Sequence, residues 1–443
     1  MRILVISELF PPDVLGGYEL RCEEACCWLD KKGYQVSVLT TQSEHKADHH
    51  PFPVHRLLSK RLSAGTPVYW PTWKYVYHAL LDNYAFTHML SQTNPDLIYV
   101  WKCSEISRSL IPLVLQTRIP KLVDISANWL HKVATQHGPV YRRMEERDGP
   151  LSSTIKQRMY KMLPLLSFDL IPREYAFDWS NIRGYFTSHW NKRFHVERIP
   201  ECNSFPVFYT GVDLDMFPFV PKHHVSDAIR LLFVGRICED KGFLLLLDQI
   251  REVKARDVVV TVIGAFPTER EKTRTQSSIK AMGLEAQVSF LGSVPRDLLA
   301  SYYRQCDFTV FPSIADEAFS RVPLESMACG TPCISTDNSG SKELFDLNAP
   351  LILLSHTAGS LADIIDAFAH NHDQYQQVSG DGRAFVERSF TFDGFMQNIE
   401  SNFLAAHAPD QIGINRQYTQ RCCDTSAQPP APNAEQPASQ EAV

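Results

Sequence analysis

Two glutamates, Glu317 and Glu325, are separated by seven intervening residues in the run DEAFSRVPLESMACGTPCISTDNSGSKE, residues 316–343. Between them Ser320 is placed to open a helix, with Pro323 tolerated in its first turn. Leu324, Met327 and Ala328 give that helix one apolar face, and Gly330 followed by Pro332 ends it. One carboxylate therefore precedes a helix start and the other lies inside the helix. A helix start offers unpaired N–H groups and the positive end of a dipole, which suit a phosphate. Carboxylates beside it suit hydroxyl groups. Together they fit a ligand that carries both, such as a nucleotide-linked sugar. Past the helix, the pattern predicts a strand over 333–335 and then a small-residue turn at Asn338-Ser339-Gly340-Ser341.

Two cations lie upstream in GRICEDKG, residues 235–242. Arg236 and Lys241 fall in a loop between a strand and a helix, at the rim where open α/β sheets bind ligands. Such a pair can grip a diphosphate, the arginine bidentately. Gly16-Gly17, after the first strand, would let backbone approach a phosphate, or would serve a tight turn. The spacing is not GxGxxG, so no dinucleotide site is indicated. Glu19 reads as a first-turn helix charge. Asp213-Leu214-Asp215 has the form of a DxD metal motif. It leads into a linker with no further carboxylate beside it, so a structural role is expected. His45, His49, His50 and His55 lie in a polar loop without ligand spacing and read as solvated.

The elements that must hold these residues alternate between strand and helix. Residues 3–7 form a continuous apolar strand, as a parallel sheet buried on both faces requires. A helix over 18–32 follows, then strands at 35–40, 96–101 and 121–125, with a helix over 106–116 and a strand end at 209–212. A second series begins near residue 229. Its strands are RLLFVG, VVVTVIG, VSFLG and FTVFP, with helices over 242–254, around 276–282, and at DLLASYYRQ. Strands joined by helical crossovers imply doubly wound parallel sheets. The expected organisation is a first α/β domain over 1–218, a second over 219–388, a closing helix over 389–407 and a disordered tail over 408–443. The tail is polar and rich in Pro, Ala and Gln.

A chain of 443 residues exceeds one ordinary core and suggests about two domains. A net charge of -6 gives no reason to expect nucleic acid. Eleven cysteines, unpaired in spacing and without a zinc pattern, read as free thiols of a reducing cytosol. The opening MRILVISELFPP is a strand rather than a leader, and no window approaches the ~18 apolar residues of a membrane span. Residues 142–175 set Arg142, Arg143, Lys156, Arg158 and Lys161 beside Met159, Met162, Leu163 and Leu165. A surface helix is the expectation; peripheral contact with an anionic membrane is the alternative. The expected location is cytoplasmic, with peripheral contact at the inner face of the membrane left open.

Gly235-Arg236…Lys241-Gly242, Phe290-Leu291-Gly292, and above all the run from Glu317 through Glu325 to Pro332 resemble the retaining nucleotide-sugar glycosyltransferases of family 4. The order of GGxE after the first strand, Tyr209-Thr210-Gly211-Val212-Asp213 and a closing helix also fits, and the similarity covers residues 1–406. The resemblance implies a GT-B fold, two Rossmann-like domains facing across a cleft, the closing helix packing back on the first. It also implies roles for particular residues. Arg236 and Lys241 would neutralise the departing diphosphate, and Glu317 would contact the transferred sugar. Glu325 would hold the ribose. Backbone groups of Phe319, Ser320, Arg321 and Val322 would touch sugar and phosphate. Gly17 would let the first domain close over the donor. No cofactor and no metal is expected. The partners implied are a nucleotide-sugar donor and a glycan or lipid-linked acceptor. Two departures stand out. Ala318 replaces a glycine common in the family. The histidine many members carry on the acceptor side is missing: Trp101-Lys102 and Asp124 to Trp129 stand there instead, with Asp124, Ser126 and Asn128 as substitutes. The implied reaction is transfer to an acceptor hydroxyl with retention at the anomeric carbon. A GT-B nucleotide-sugar epimerase and a non-catalytic sugar-nucleotide-binding protein are the alternatives.

Overall fold

A computed structural model of the chain describes residues 1–44, 49–60, 62–63, 66–67, 72–103, 106, 110–127, 129–134, 179, 182–253, 257–354 and 360–405. The first domain contains β1 (Arg2–Ile6), β2 (Gln35–Thr41), β3 (Val54–Leu58), β4 (Leu62–Ser63), β5 (Thr66–Pro67), β6 (Leu97–Val100), β7 (Lys121–Ile125) and β8 (Ile182–Phe186). β4 and β5 form a separate antiparallel ribbon; the other six make one sheet in the order β3-β2-β1-β6-β7-β8. The second domain contains β9 (Ile229–Val234), β10 (Val258–Ile263), β11 (Val288–Gly292), β12 (Phe308–Phe311), β13 (Cys333–Ser335) and β14 (Ile352–Leu353), ordered β11-β10-β9-β12-β13-β14. All ladders in both six-stranded sheets are parallel. Each sheet has its first strand in the middle, and the winding reverses beside it: between β1 and β6, and between β9 and β12. Ligands of open α/β sheets bind outside the strand ends at such a reversal.

Burial explains the strand sequences. β6 and β12 are buried at every position, and β1 at all but its first residue, because helices cover both faces. Two apolar clusters flank the first sheet and two the second. The helix Phe392–Ile399 continues as a π turn, Glu400–Leu404. Phe395, Met396, Ile399 and Leu404 join Ile3, Val5 and Leu29 in the first domain's core. Trp28 Nε1 donates to Asp393 at 2.7 Å and Tyr34 Oη to Glu400 at 2.8 Å, fixing this helix against Gly17–Lys31.

Local departures from the pattern have physical causes. The run Ser339-Gly340-Ser341 begins a helix, Ser339–Asp346, not a turn; Leu344 pulls it into the core. The helix expected from Ser320 begins at Val322, and its Glu325 N donates to Arg321 O at 2.8 Å. Pro323, without an N–H, closes no earlier turn. Residues 209–212 form no strand. Val212 instead bridges to Thr391, and a Cβ on Gly211 would lie 2.2 Å from the Thr391 carbonyl. Residues 142–175, Asn128 and the tail lie outside the described residues. No described helix is long and apolar enough to cross a membrane, and the described cysteines carry free thiols.

Asp124, at the end of β7, is fully buried. Arg21 Nη2 donates to its two oxygens at 2.9 and 3.0 Å, Tyr185 Oη donates to Oδ2 at 2.7 Å, and Ser126 donates to Oδ1. The Arg21 guanidinium also lies 5.2 Å from the ring centres of Tyr18 and Trp101. Burial holds the Tyr99 and Tyr185 hydroxyls well above the usual phenol range, with Asp124 adding to it. These bonds give Asp124 and Ser126 a structural occupation. Asp124→Ala strands the buried Arg21 charge and is expected to cost about 3–5 kcal/mol, read as a lowered urea midpoint.

Candidate functional site

The reversal between β9 and β12 gathers the two loops that carry the predicted cations and first glutamate. The loop after β9 ends in a 3₁₀ turn, Glu239–Lys241, closed by Gly242 at φ 69°. A Cβ on Gly242 would lie 1.8 Å from the Pro312 carbonyl oxygen, so only glycine lets the two loops touch. Ile314 N and Ala315 N donate to Asp240 O, each at 3.0 Å. From behind, Asn338 Nδ2 donates to the Ser313 and Ala315 carbonyls at 2.6 and 2.9 Å. The result is a Lys241 Nζ–Glu317 Oε1 ion pair of 2.5 Å, with Ser313 Oγ on the same oxygen. Both charged side chains are mostly sheltered, at 19% and 16% exposure. Arg236, in the same loop after β9, is exposed and makes no ion pair among the described residues.

Glu325 sits deeper, inside the helix Val322–Ala328. Its Oε2 accepts from Tyr303 Oη at 3.1 Å, and Oε1 lies 3.5 Å from Arg296 Nη2 and 3.7 Å from Arg321 Nε. Both arginines reach across to the first domain, where Glu24 takes Arg296 at 2.6 Å and Arg321 at 2.8 Å. Burial, reinforced by Arg321 alongside, holds the Arg296 guanidinium below its usual range. Phe319 packs on Tyr209 at 5.2 Å and stacks on Phe390 at 6.1 Å, tying the backbone before the helix Val322–Ala328 to the interdomain segment. Ser320 is buried. Tyr209 Oη donates to Glu343 at 3.0 Å; the same carboxylate accepts the His189 and Trp190 N–H groups that open a first-domain helix, His189–Val196.

In the first domain, Gly16 caps the helix that Gly17 starts, and Glu19 accepts from Gly16 N at 3.0 Å. Neither glycine has a positive φ, and a Cβ on either would meet nothing within 4 Å. Neither a turn nor packing demands them. Asp213 spends Oδ1 on the Asp215 and Met216 N–H groups, as a turn-forming aspartate does. His50 lies 3.3 Å from Glu23 and packs among Phe10 and Phe52 rather than in solvent. Among the described residues no three His, Cys, Asp or Glu side chains are grouped to hold a metal.

Pattern reading passes over Glu24, Arg296, Ser313, Tyr303 and Glu343. Arg296 does carry a signal: a cation in the first turn of Arg296–Gln305 opposes the helix dipole and so calls for a nearby anion. Glu24 carries none, being one acid in the helical run CEEACC.

Residues 219–385 match the family described as "Glycosyl transferases group 1". A D-inositol 3-phosphate glycosyltransferase of Arthrobacter sp. (strain FB24) is 32% identical over 193 residues, 41% of this chain and 43% of that one. A lipopolysaccharide 1,2-N-acetylglucosaminetransferase of Salmonella typhimurium is 25% identical over 169 residues, 35% and 44% of the two chains. The chain spans about half the length of the curated relatives it matches. Among solved structures, sucrose-phosphate synthase of Thermosynechococcus elongatus superposes with a TM-score of 0.66 at 18% identity, covering 92% of this chain and 100% of that one. Anabaena Alr3699/HepE in complex with UDP gives 0.62 at 17%, covering 91% and 100%. Two parallel sheets with these neighbours are the GT-B fold, and within it residues 219–385 form a glycosyl transferases group 1 domain.

Proposed function

We propose that the chain transfers a sugar from a nucleotide-diphosphate donor to an acceptor hydroxyl, with retention at the anomeric carbon, in the assembly of a glycan, polysaccharide or glycolipid. The observation that carries this reading is the Lys241–Glu317 pair at the β9/β12 reversal, with the exposed Arg236 in the same loop as Lys241. A sheltered ammonium held by one carboxylate is aimed before any ligand arrives, so little reorganisation is needed when diphosphate charge develops. Glu317, oriented by Lys241 and Ser313, presents acceptors to sugar hydroxyls. Arg236 supplies the second cation from the solvent side. The open space over Gly16 and Gly17 admits the donor's phosphates close to the first domain's backbone.

In the proposed step the acceptor oxygen bonds to the anomeric carbon while the bond from that carbon to the diphosphate oxygen breaks. The acceptor's proton passes to the departing diphosphate, on the face it leaves. No side-chain base is required, which suits an acceptor side where Asp124 is bound up with Arg21. Cations and backbone N–H groups stand in for a metal. The Anabaena protein is seen in complex with UDP, and the shared fold supports a nucleotide as the ligand here. The acceptor is read as a glycan or a lipid-linked glycan. Peripheral contact with a membrane is part of the same proposal.

Lys241→Ala and Arg236→Ala are each expected to lower turnover by about 10²–10³-fold, measured as nucleoside diphosphate released from a panel of nucleotide sugars and acceptors. Near-normal rates in both variants overturn the reading, and so does an epimerised donor formed without acceptor. Excess EDTA is expected to leave the rate unchanged; a rate lost to chelation and restored by Mg²⁺ or Mn²⁺ would require a metal-assisted mechanism.

A further inference from the structure

Four charged side chains meet where the two domains touch. Glu24 comes from the first domain's helix Gly17–Lys31; Arg296, Arg321 and Glu325 come from the second. All four are 8–14% exposed, so each needs its partners. The two arginines are not shared evenly. Glu24 holds Arg321 with two contacts, 2.8 and 3.3 Å, and Arg296 with one of 2.6 Å. Glu325 is 3.5 Å from Arg296 and 3.7 Å from Arg321. Buried Arg321 Nε makes no hydrogen bond; its contact with Glu325 is too long for one. Arg296 is also restrained on the far side, with Nε 3.0 Å from Met216 Sδ and its guanidinium 5.7 Å from the Phe217 ring centre.

Without Glu24, two buried guanidiniums would have Glu325 as their nearest carboxylate. The short movements needed would turn its long contacts into charge-assisted bonds and occupy Oε1. With Glu24 present, Glu325 keeps one good bond, from Tyr303, and Oε1 stays only loosely held. We propose that Glu24 is a positioning residue: by drawing Arg296 and Arg321 onto itself it leaves Glu325 free to accept hydrogen bonds from the donor's ribose hydroxyls. This rests on the donor reading above. It adds that a first-domain carboxylate, which touches no donor atom, sets how well the second domain tells ribose from deoxyribose.

Calorimetry tests this with UDP, GDP and ADP, taking whichever the unaltered chain binds and comparing it with its 2′-deoxy counterpart. The unaltered chain is expected to prefer the ribonucleotide about tenfold, and Glu24→Gln to reduce that preference to about twofold. Glu24→Asp, which keeps the charge, should restore most of the preference. Glu24→Ala carries the same expectation as Glu24→Gln should the latter fail to fold. A purely structural role weakens both nucleotides equally; an unchanged ratio in Glu24→Gln or Glu24→Ala overturns the role of Glu24 while leaving the donor reading intact. If the unaltered chain binds none of the three nucleotides, the donor reading fails and this inference with it.

Discussion

In a parallel sheet, neighbouring strands release their loops at the same edge, however far apart the loops lie in sequence. The candidate site depends on this at β9 and β12. Lys241 follows one strand and Glu317 the other, 76 residues later, yet the strands are hydrogen-bonded neighbours and the side chains meet at 2.5 Å. Winding reverses between these two strands, so no crossover helix covers the edge. Everything else there supports that meeting. Gly242 lets the loops touch, Asp240 accepts two N–H groups, and Asn338 holds the glutamate's loop from behind.

Charge burial between the domains is the second constraint. Glu24, Arg296, Arg321 and Glu325 are sheltered together, and Glu343 caps a first-domain helix from the second domain. Separating the domains would leave these groups without their partners, so electrostatics favours the arrangement seen. The returning helix Phe392–Ile399 adds an apolar tie, with its phenylalanines set into the first domain's core. The candidate site is therefore held by both kinds of contact: directional charge pairs near the β9/β12 strand ends and non-directional burial away from them.

Much of the architecture is legible in the order of residues. Continuous apolar strands imply burial on both faces, and Gly330, read as a helix-ending glycine, does take the left-handed conformation. Arg236, Lys241, Glu317 and Glu325 stand in one domain, as their spacing implies. Pattern and structure part where short-range signals are ambiguous. Ser339-Gly340-Ser341 has the composition of a turn, but Leu344 finds a core and the segment coils into a helix. Residues 209–212 look like a strand, yet their partner is the distant Thr391.

Sequence by itself determined residue types and periods: which strands are buried, where cations and carboxylates lie along the chain, and where glycine is needed. These are local properties, set by side-chain chemistry and backbone sterics. Only the tertiary structure decided which charges meet. Glu24 and Arg321 are 297 positions apart, and nothing in CEEACC announces an interdomain partner. Pairing of that kind depends on how two separately folded sheets are brought together. It is a long-range geometric outcome to which no local pattern points.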